Sequence, residues 1–434
     1  MKTSTKAGIA VLALAGALTA GAALLPGEQP PSPPAVALAR GPVSGVSGEV
    51  PGSAASVRET IDALTGRLRR LPGDDQAWAS LGAAYVQQAR ITADPSSYPK
   101  AEQALARSIA LNPGNFAALT GQAALAAGRH DFTEAVRLAR LSAEANPHGP
   151  GAQAVLADAY TQLGRYDEAE RAIDRMMGLR PGVASFTRAA YAAELRGDRA
   201  GARRMLERAL GDAFSPDDIA YCHYALGELA LHSGDLAGAS EQYRLALRAT
   251  PGFAPALAGT ARAAAFGGRT AEALDLYATV VERLPLPQYV IEYAEVIRAS
   301  GGDPSGQWTL LRAQRDLMTG AGVRDDLTWA EYEADHGSPA KAVSHARAEY
   351  ARNPNLVAAD ALAWALHRDG RSEEALPYAR KATATGWRNA LLLHHRAEIE
   401  RAVGLTGRAG RSAAEARRAN PAFSPRLPAL ARFS

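Results

Sequence analysis

The chain has 434 residues, 47% apolar and 6% aromatic, with 48 Lys and Arg against 45 Asp and Glu for a formal net charge of +3. Charge this balanced and interspersed excludes a nucleic-acid surface built on a basic field. A lone cysteine, Cys222, excludes an intrachain disulfide framework. A core of Ala and Leu with few aromatics favours close-packed helices over sheets, and the Arg and Ala bias is that of a GC-rich bacterial genome.

The N-terminus begins with Lys2 and Lys6, followed by an uncharged run from Ala7 to Leu25. This is the layout of an export signal, with small residues for cleavage at Ala20-Gly21-Ala22 or, later, Ala37-Leu38-Ala39. The run also reaches the lower length limit for spanning a bilayer. Residues 1–25 are therefore read as either a cleaved signal peptide or an uncleaved membrane anchor. Both alternatives hold the lysines inside and put the rest of the chain outside the cytoplasm. No cysteine stands after the run to carry a lipid. Residues 26–56 are a linker: Pro26, Pro30, Pro31, Pro33, Pro34, Pro42 and Pro51 alternate with Gly, Ser and Ala, a composition that stays extended and buries little.

From residue 57 the chain is periodic. A helix over Val57–Leu71 stops at Pro72 and, with Arg58, Arg67, Arg69 and Arg70, forms a half repeat (57–74) that caps one end with a polar face. Pro113, Pro147 and Pro181 are 34 residues apart, as are Pro251 and Pro285, and the wider gaps to Pro354 and Pro421 are near multiples. Such a period marks a stacked supersecondary repeat. A turn glycine recurs with an alanine five residues on: Gly164/Ala169, Gly197/Ala202, Gly234/Ala239, Gly268/Ala273, Gly337/Ala342, Gly370/Ala375 and Gly404/Ala409. Glycine supplies the left-handed conformation that ends the first helix of a unit. The alanine is the close-contact residue of the second. The proline ends that second helix.

Ten units follow, starting near 75, 116, 150, 183, 220, 254, 287, 323, 356 and 390. Three places depart from the pattern: about seven extra residues within Arg90–Tyr98, an irregular step at Gly211–Asp218 around Pro216, and Gly301–Gly322, where Gly306 replaces the small alanine. They are read as bends in the stack or as contact sites. Arg408, Arg411, Arg417 and Arg418 cap the far end of the array, which closes near 424, and residues 425–434 form a Pro-broken tail.

The unit beginning at Trp78 carries Trp78, Leu81, Gly82 and Tyr85 on one helical face, then Ala101, Leu105 and Pro113. This resembles the tetratricopeptide repeat, W-x₂-L-G-x₂-Y followed by A-x₃-F and P, with Leu105 in place of the aromatic. The resemblance covers about residues 57–424. It implies an all-α chain, a right-handed α-solenoid of about ten helix-turn-helix units, in an exported bacterial, actinobacterial-type member of the family. It also implies a non-enzymatic protein-protein interaction scaffold.

The array leaves no room for a catalytic domain. The nine histidines match no H-E-x-x-H pattern, and there is no phosphate-binding loop. His394, His395 and Glu398 share a helical turn and read as a packed or solvated face rather than a metal site. Gly404, Gly407 and Gly410 fall at a repeat turn. Cys222 and His223, being adjacent on a helix, point apart and make a poor nucleophile pair; Cys222 reads as a small buried hydrophobe.

The resemblance implies a concave groove lined by the first helices of successive units. Carried onto the middle units it gives Asp158, Gln162, Arg188, Tyr191, Tyr221, Tyr224, Glu228, His232, Arg262 and Glu295 as partner-binding candidates, the tyrosines being read either as groove-facing or as packed between repeats. Capture of a C-terminal carboxylate by Lys and Asn, known in the family, does not match Ala79 and Ala83 at the corresponding positions. The expected partner is a protein or peptide, with no cofactor, metal or nucleic acid, and with the membrane reached only through an uncleaved N-terminal segment. The alternative is an accessory subunit of a transporter or other membrane or cell-wall complex, tethered by the N-terminal helix.

Overall fold

The computed structural model describes residues 54–432. The signal or anchor segment and nearly all of the linker lie outside the described residues. Among these, helices are the only regular elements: α1 (Ala54–Arg70), then ten pairs. The pairs are α2 (Asp75–Thr92) with α3 (Ser97–Leu111), α4 (Phe116–Gly128) with α5 (Phe132–Ala145), α6 (Pro150–Gln162) with α7 (Tyr166–Leu179), α8 (Val183–Leu195) with α9 (Arg199–Gly211) and α10 (Pro216–His232) with α11 (Leu236–Ala249). There follow α12 (Ala254–Phe266) with α13 (Thr270–Arg283), α14 (Pro287–Ala299) with α15 (Ser305–Gly320), α16 (Asp326–His336) with α17 (Pro339–Arg352), α18 (Leu356–Arg368) with α19 (Ser372–Ala382) and α20 (Ala390–Ala402) with α21 (Thr406–Ala419). A short 3₁₀ turn, Pro428–Ala431, completes the described chain. The all-α solenoid expected from the repeat is the observed fold.

Local chemistry sets the period. Pro72, Pro113, Pro147, Pro181, Pro251, Pro285, Pro354 and Pro421 each stand two residues past the end of a helix, where proline bars the preceding residue from continuing it. Pro216 behaves differently. It opens α10 at the first helical position, with the Ser215 hydroxyl accepting from the Asp218 N–H. Six of the seven ladder glycines have φ between +70° and +80°, but Gly337 does not. There α16 is short, and Gly337 sits at φ −132° with the Glu333 carboxylate accepting from the Ser338 N–H instead. In the α4–α5 turn His130 takes the left-handed position at φ 61° and stacks on Phe132. Asp131, Asp198 and Asp235, each directly after a left-handed residue, then cap α5, α9 and α11. The extra residues within Arg90–Tyr98 lengthen α2 to 18 residues and end it on Ala93 at φ 53°.

Packing follows the large-into-small rule. Leu105 on α3 lies between Gly82 and Gly121, and Tyr243 on α11 lies between Gly227 and Gly259; a Cβ at any of the four glycines would stand 2.4–2.5 Å from the facing side chain. The ladder alanines 169, 202, 239, 273, 342, 375 and 409 are all buried. Gly306, near the start of α15, has open space where its Cβ would be. It is not a close-contact position, and α15 buries little beyond Leu311 and Gln314.

The even-numbered helices touch the even-numbered helix of the next unit along most of the stack, whereas successive odd-numbered helices show no comparable contact among the described residues. The even helices therefore form the inner, concave layer. The curvature closes on itself. Arg129 Nε donates to Ala321 O (3.0 Å), Asn355 Nδ2 to Gln162 O (2.7 Å), Leu356 N–H to Tyr166 OH (3.0 Å), Arg199 Nη2 to Arg388 O (2.9 Å) and Asn420 Nδ2 to Leu231 O (3.0 Å). These partners are 189–193 residues apart in every case. One superhelical turn thus takes about five and a half 34-residue units, and consecutive turns lie in hydrogen-bonded contact.

Candidate functional site

Winding this tight buries much of the inner wall, and the charged residues on it are joined in a ladder between successive inner helices. Arg188 on α8 donates through Nε and Nη2 to both oxygens of Asp158 on α6 (2.9 and 2.7 Å). His232 on α10 lies 3.6 Å from Glu194 on α8. Arg262 on α12 donates through Nη1 to Glu228 on α10 (2.6 Å) and through Nε to Glu292 on α14 (3.1 Å). His336 Nε2 on α16 lies 2.9 Å from Glu295 Oε1 on α14. Trp364 Nε1 on α18 donates to Asp335 on α16 (2.8 Å), and His395 Nδ1 on α20 lies 2.8 Å from Asp360 on α18, its ring stacked on Trp364 at 4.0 Å. Each rung ties one unit to the next, where double-sided burial makes an uncompensated charge expensive.

Of the ten residues proposed from sequence, Asp158, Arg188, Glu228, His232, Arg262 and Glu295 belong to this ladder. Arg262 is 1% exposed and Glu295 fully buried. Tyr221 and Tyr224 pack together with Tyr243 in one core cluster, with Phe253 against it. Tyr191 joins the core with Leu195, and the Gln162 carbonyl holds the next superhelical turn. Cys222 is buried beside Phe186 and Ala209, and burial pushes its thiol up to about 12.

The structure adds residues that the sequence reading missed. Beyond α21 the chain turns back into the solenoid. Its 3₁₀ turn packs on α14 and α20. The Ala429 N–H donates to Glu295 Oε2 (2.9 Å), and Arg432 reaches Glu331 (3.2 Å) and Asp335 (2.5 Å) on α16. Leu427 and Leu430 share a buried cluster with Ile291 and Trp329. Burial pushes the Glu331 carboxyl up to about 7, against the pull of Arg432. Burial also raises Asp335, but Arg432 and the Trp364 N–H outweigh it and hold that carboxyl below its usual value. Burial raises Glu292 and Glu295 as well. A sequence signal existed for this wall: Glu194, Glu228, Arg262 and Glu295 recur at steps of 33 or 34 residues inside otherwise apolar helices. Nothing local marked Arg432 as their neighbour.

A second concavity lies on the outer side, a half-open cleft of ~720 Å³ between α5, α6 and α7, lined by Arg140, Arg171, Arg175, Glu144, Glu168 and the Tyr160 ring. No group of side chains that would hold a metal ion occurs among the described residues, and no described helix is long and apolar enough to cross a membrane.

Residues 124–193 match a family model described as tetratricopeptide repeat, a family whose members are generally protein-interaction scaffolds. No curated protein matches the chain. Among solved structures it is similar to PilW, a widely conserved type IV pilus biogenesis factor, at 16% identity over 54% of this chain and 98% of that one, with a TM-score of 0.38. It is similar to TTC0263, a thermophilic TPR protein of Thermus thermophilus, at 24% identity over 44% of this chain and 97% of that one, TM-score 0.38. Human IFIT1 is similar at 14% identity over 87% of this chain and 95% of that one, TM-score 0.45. At these identities and scores the likeness concerns the fold and nothing further.

Proposed function

We propose that the chain is a non-enzymatic scaffold that works outside the cytoplasm and holds a protein or peptide partner on the inner wall of its solenoid, between α14 and α20. The observation that carries this reading is the wall's own occupancy. A short non-repeat segment lies across the inner helices and is held as a bound peptide would be, by one backbone N–H, two apolar side chains and one guanidinium. The repeat signature in residues 124–193 supports a scaffold. The location rests on Lys2, Lys6 and the apolar run that follows them.

A photo-crosslinking amino acid placed at Tyr332, half-buried on α16 against the tail cluster, tests the wall in intact cells. The same probe at the exposed Leu141 on α5 is the control. A discrete adduct from 332 and none from 141 is expected; the reverse pattern overturns the inner wall as the binding surface. Protease accessibility of the solenoid in intact cells, with mass spectrometry of the mature N-terminus, tests the location. Protection of the whole chain refutes it.

A further inference from the structure

The segment after α21 is not required by the repeat. The solenoid ends at Ala419, Asn420 ties that end to Leu231, and Pro421, Pro425 and Arg426 are exposed before burial resumes at Leu427. An exposed stretch thus leads into a buried one that touches helices far away in sequence. Its anchoring contacts to the wall are those of side chains and of one backbone N–H, and it lies outside every α-helix.

The wall beneath is acidic. Glu295, Glu331, Asp335 and Asp360 lie on α14, α16 and α18; Arg432 of the tail is the guanidinium that meets them, and His336 and His395 lie against Glu295 and Asp360. Asp360 Oδ1 is buried with no hydrogen-bond partner among the described residues. Without Arg432, Glu331 and Asp335 lose their guanidinium while staying in a low-dielectric recess, a costly arrangement. The site therefore favours a cation, and a planar, bidentate guanidinium suits paired carboxylates better than an ammonium. The apolar positions demand a partner too, since Leu427 and Leu430 fill space against Ile291 and Trp329.

We propose that residues 427–432 are a built-in occupant of a peptide site, and that the partner taken there is an unstructured protein segment of the same chemistry: two apolar residues three apart and an arginine two residues after the second. The partner segment displaces the tail. This rests on the reading of the inner wall as the partner surface and names what that surface recognises. The chain in its present form is the self-occupied state, so a partner binds with its affinity reduced by the tail's hold on the site.

The test uses the full chain and a labelled synthetic peptide of residues 424–434. Arg432→Glu sets a carboxylate against Glu331 and Asp335 and expels the tail from the wall. Fluorescence anisotropy is expected to show the peptide binding the Arg432→Glu chain at least ten-fold more tightly than the unaltered chain. Adding Glu331→Gln and Asp335→Asn to that variant is expected to abolish the gain, and so is a peptide with Glu at its 432 position. Equal binding to both chains, or none to an Arg432→Glu chain whose helical circular dichroism is unchanged, overturns the proposal. Loss of helicity in Arg432→Glu overturns it as well, since the tail is then part of the core. A chain that crosslinks a partner through position 332 yet ignores this peptide keeps the scaffold reading and loses this one.

Discussion

The inner ladder makes a demanding prediction at Arg262. Its side chain is 1% exposed, between Glu228 and the fully buried Glu292. The two carboxylates also accept from Tyr243 OH (2.6 Å) and Tyr277 OH (2.9 Å), and Gln288 donates to Glu292 (2.7 Å). Arg262→Met keeps the volume and removes the charge, so two buried carboxylates lose the guanidinium that joins them. Breaking a buried ion pair from one side costs about 3–5 kcal/mol. The relief available is protonation. Burial already raises Glu292, and without Arg262 that carboxyl rises further above its unfolded value. Groups raised in the folded state withhold stability as pH climbs from the unfolded pKa through the folded one. The deficit of Arg262→Met is therefore largest near pH 8 and shrinks toward pH 5. The triple variant Arg262→Met, Glu228→Gln, Glu292→Gln removes charge from all three members and is expected to recover most of the loss. The assay is urea unfolding followed by circular dichroism at both pH values. Hydrogen exchange localises the loss to α10–α14, since a repeat array need not unfold in one step. A loss under about 1 kcal/mol that does not vary with pH would refute the account of Arg262 as the cation that makes this burial tolerable.

Three further tests probe other parts of the structure. Burial pushes the Glu349 carboxyl up to about 7, so it erodes stability between the unfolded value near 4.5 and pH 7; Glu349→Gln should leave the melting temperature near that of the parent at pH 4 and raise it relative to the parent at pH 8, and parallel curves would show the residue to be uninvolved. Gly197 and Gly370 both have φ +80°, but only at Gly197 does a Cβ meet the next superhelical turn, 2.4 Å from the Gly386 carbonyl oxygen. Both alanine variants should lose about 1–2 kcal/mol for the left-handed backbone, while Gly197→Ala alone enlarges the radius of gyration in X-ray scattering; equal radii would mean that the turns do not touch. Gly259→Ala drives a methyl to within 2.5 Å of the Tyr243 ring and should cost about 1–3 kcal/mol by overpacking in urea unfolding.

The sequence made the fold legible because each unit's own signals act within about 34 residues. The prolines two past each helix end, the left-handed glycines and the buried alanines all work through neighbours in the chain. Where a local signal failed, another local group had replaced it: Glu333 at Gly337, His130 in the α4–α5 turn, and Ser215 beside Pro216. The candidate site was harder to read. Tyr221 and Tyr224 have the spacing of a shared face, but whether that face meets a partner or another helix depends on Tyr243 and Phe253, which lie on a different helix or in a loop. Alanine changes there would report on packing rather than binding. Arg188, Arg262 and Glu295 sit on the inner helices, yet their burial and pairing with Asp158, Glu228, Glu292 and His336 involve residues 30 to 41 positions away.

The sequence by itself determined the helix pairs and their approximate number, because nearest-neighbour packing in a repeat is written into one period. Only the tertiary structure decided how tightly the stack winds. The small rotation at each unit is below what a motif encodes, and it accumulates over about 190 residues until Gln162 meets Asn355 and Leu231 meets Asn420. That winding turns a charged concave face into a buried ladder and brings Arg432 onto Glu331 and Asp335, contacts that no local pattern in either segment contains.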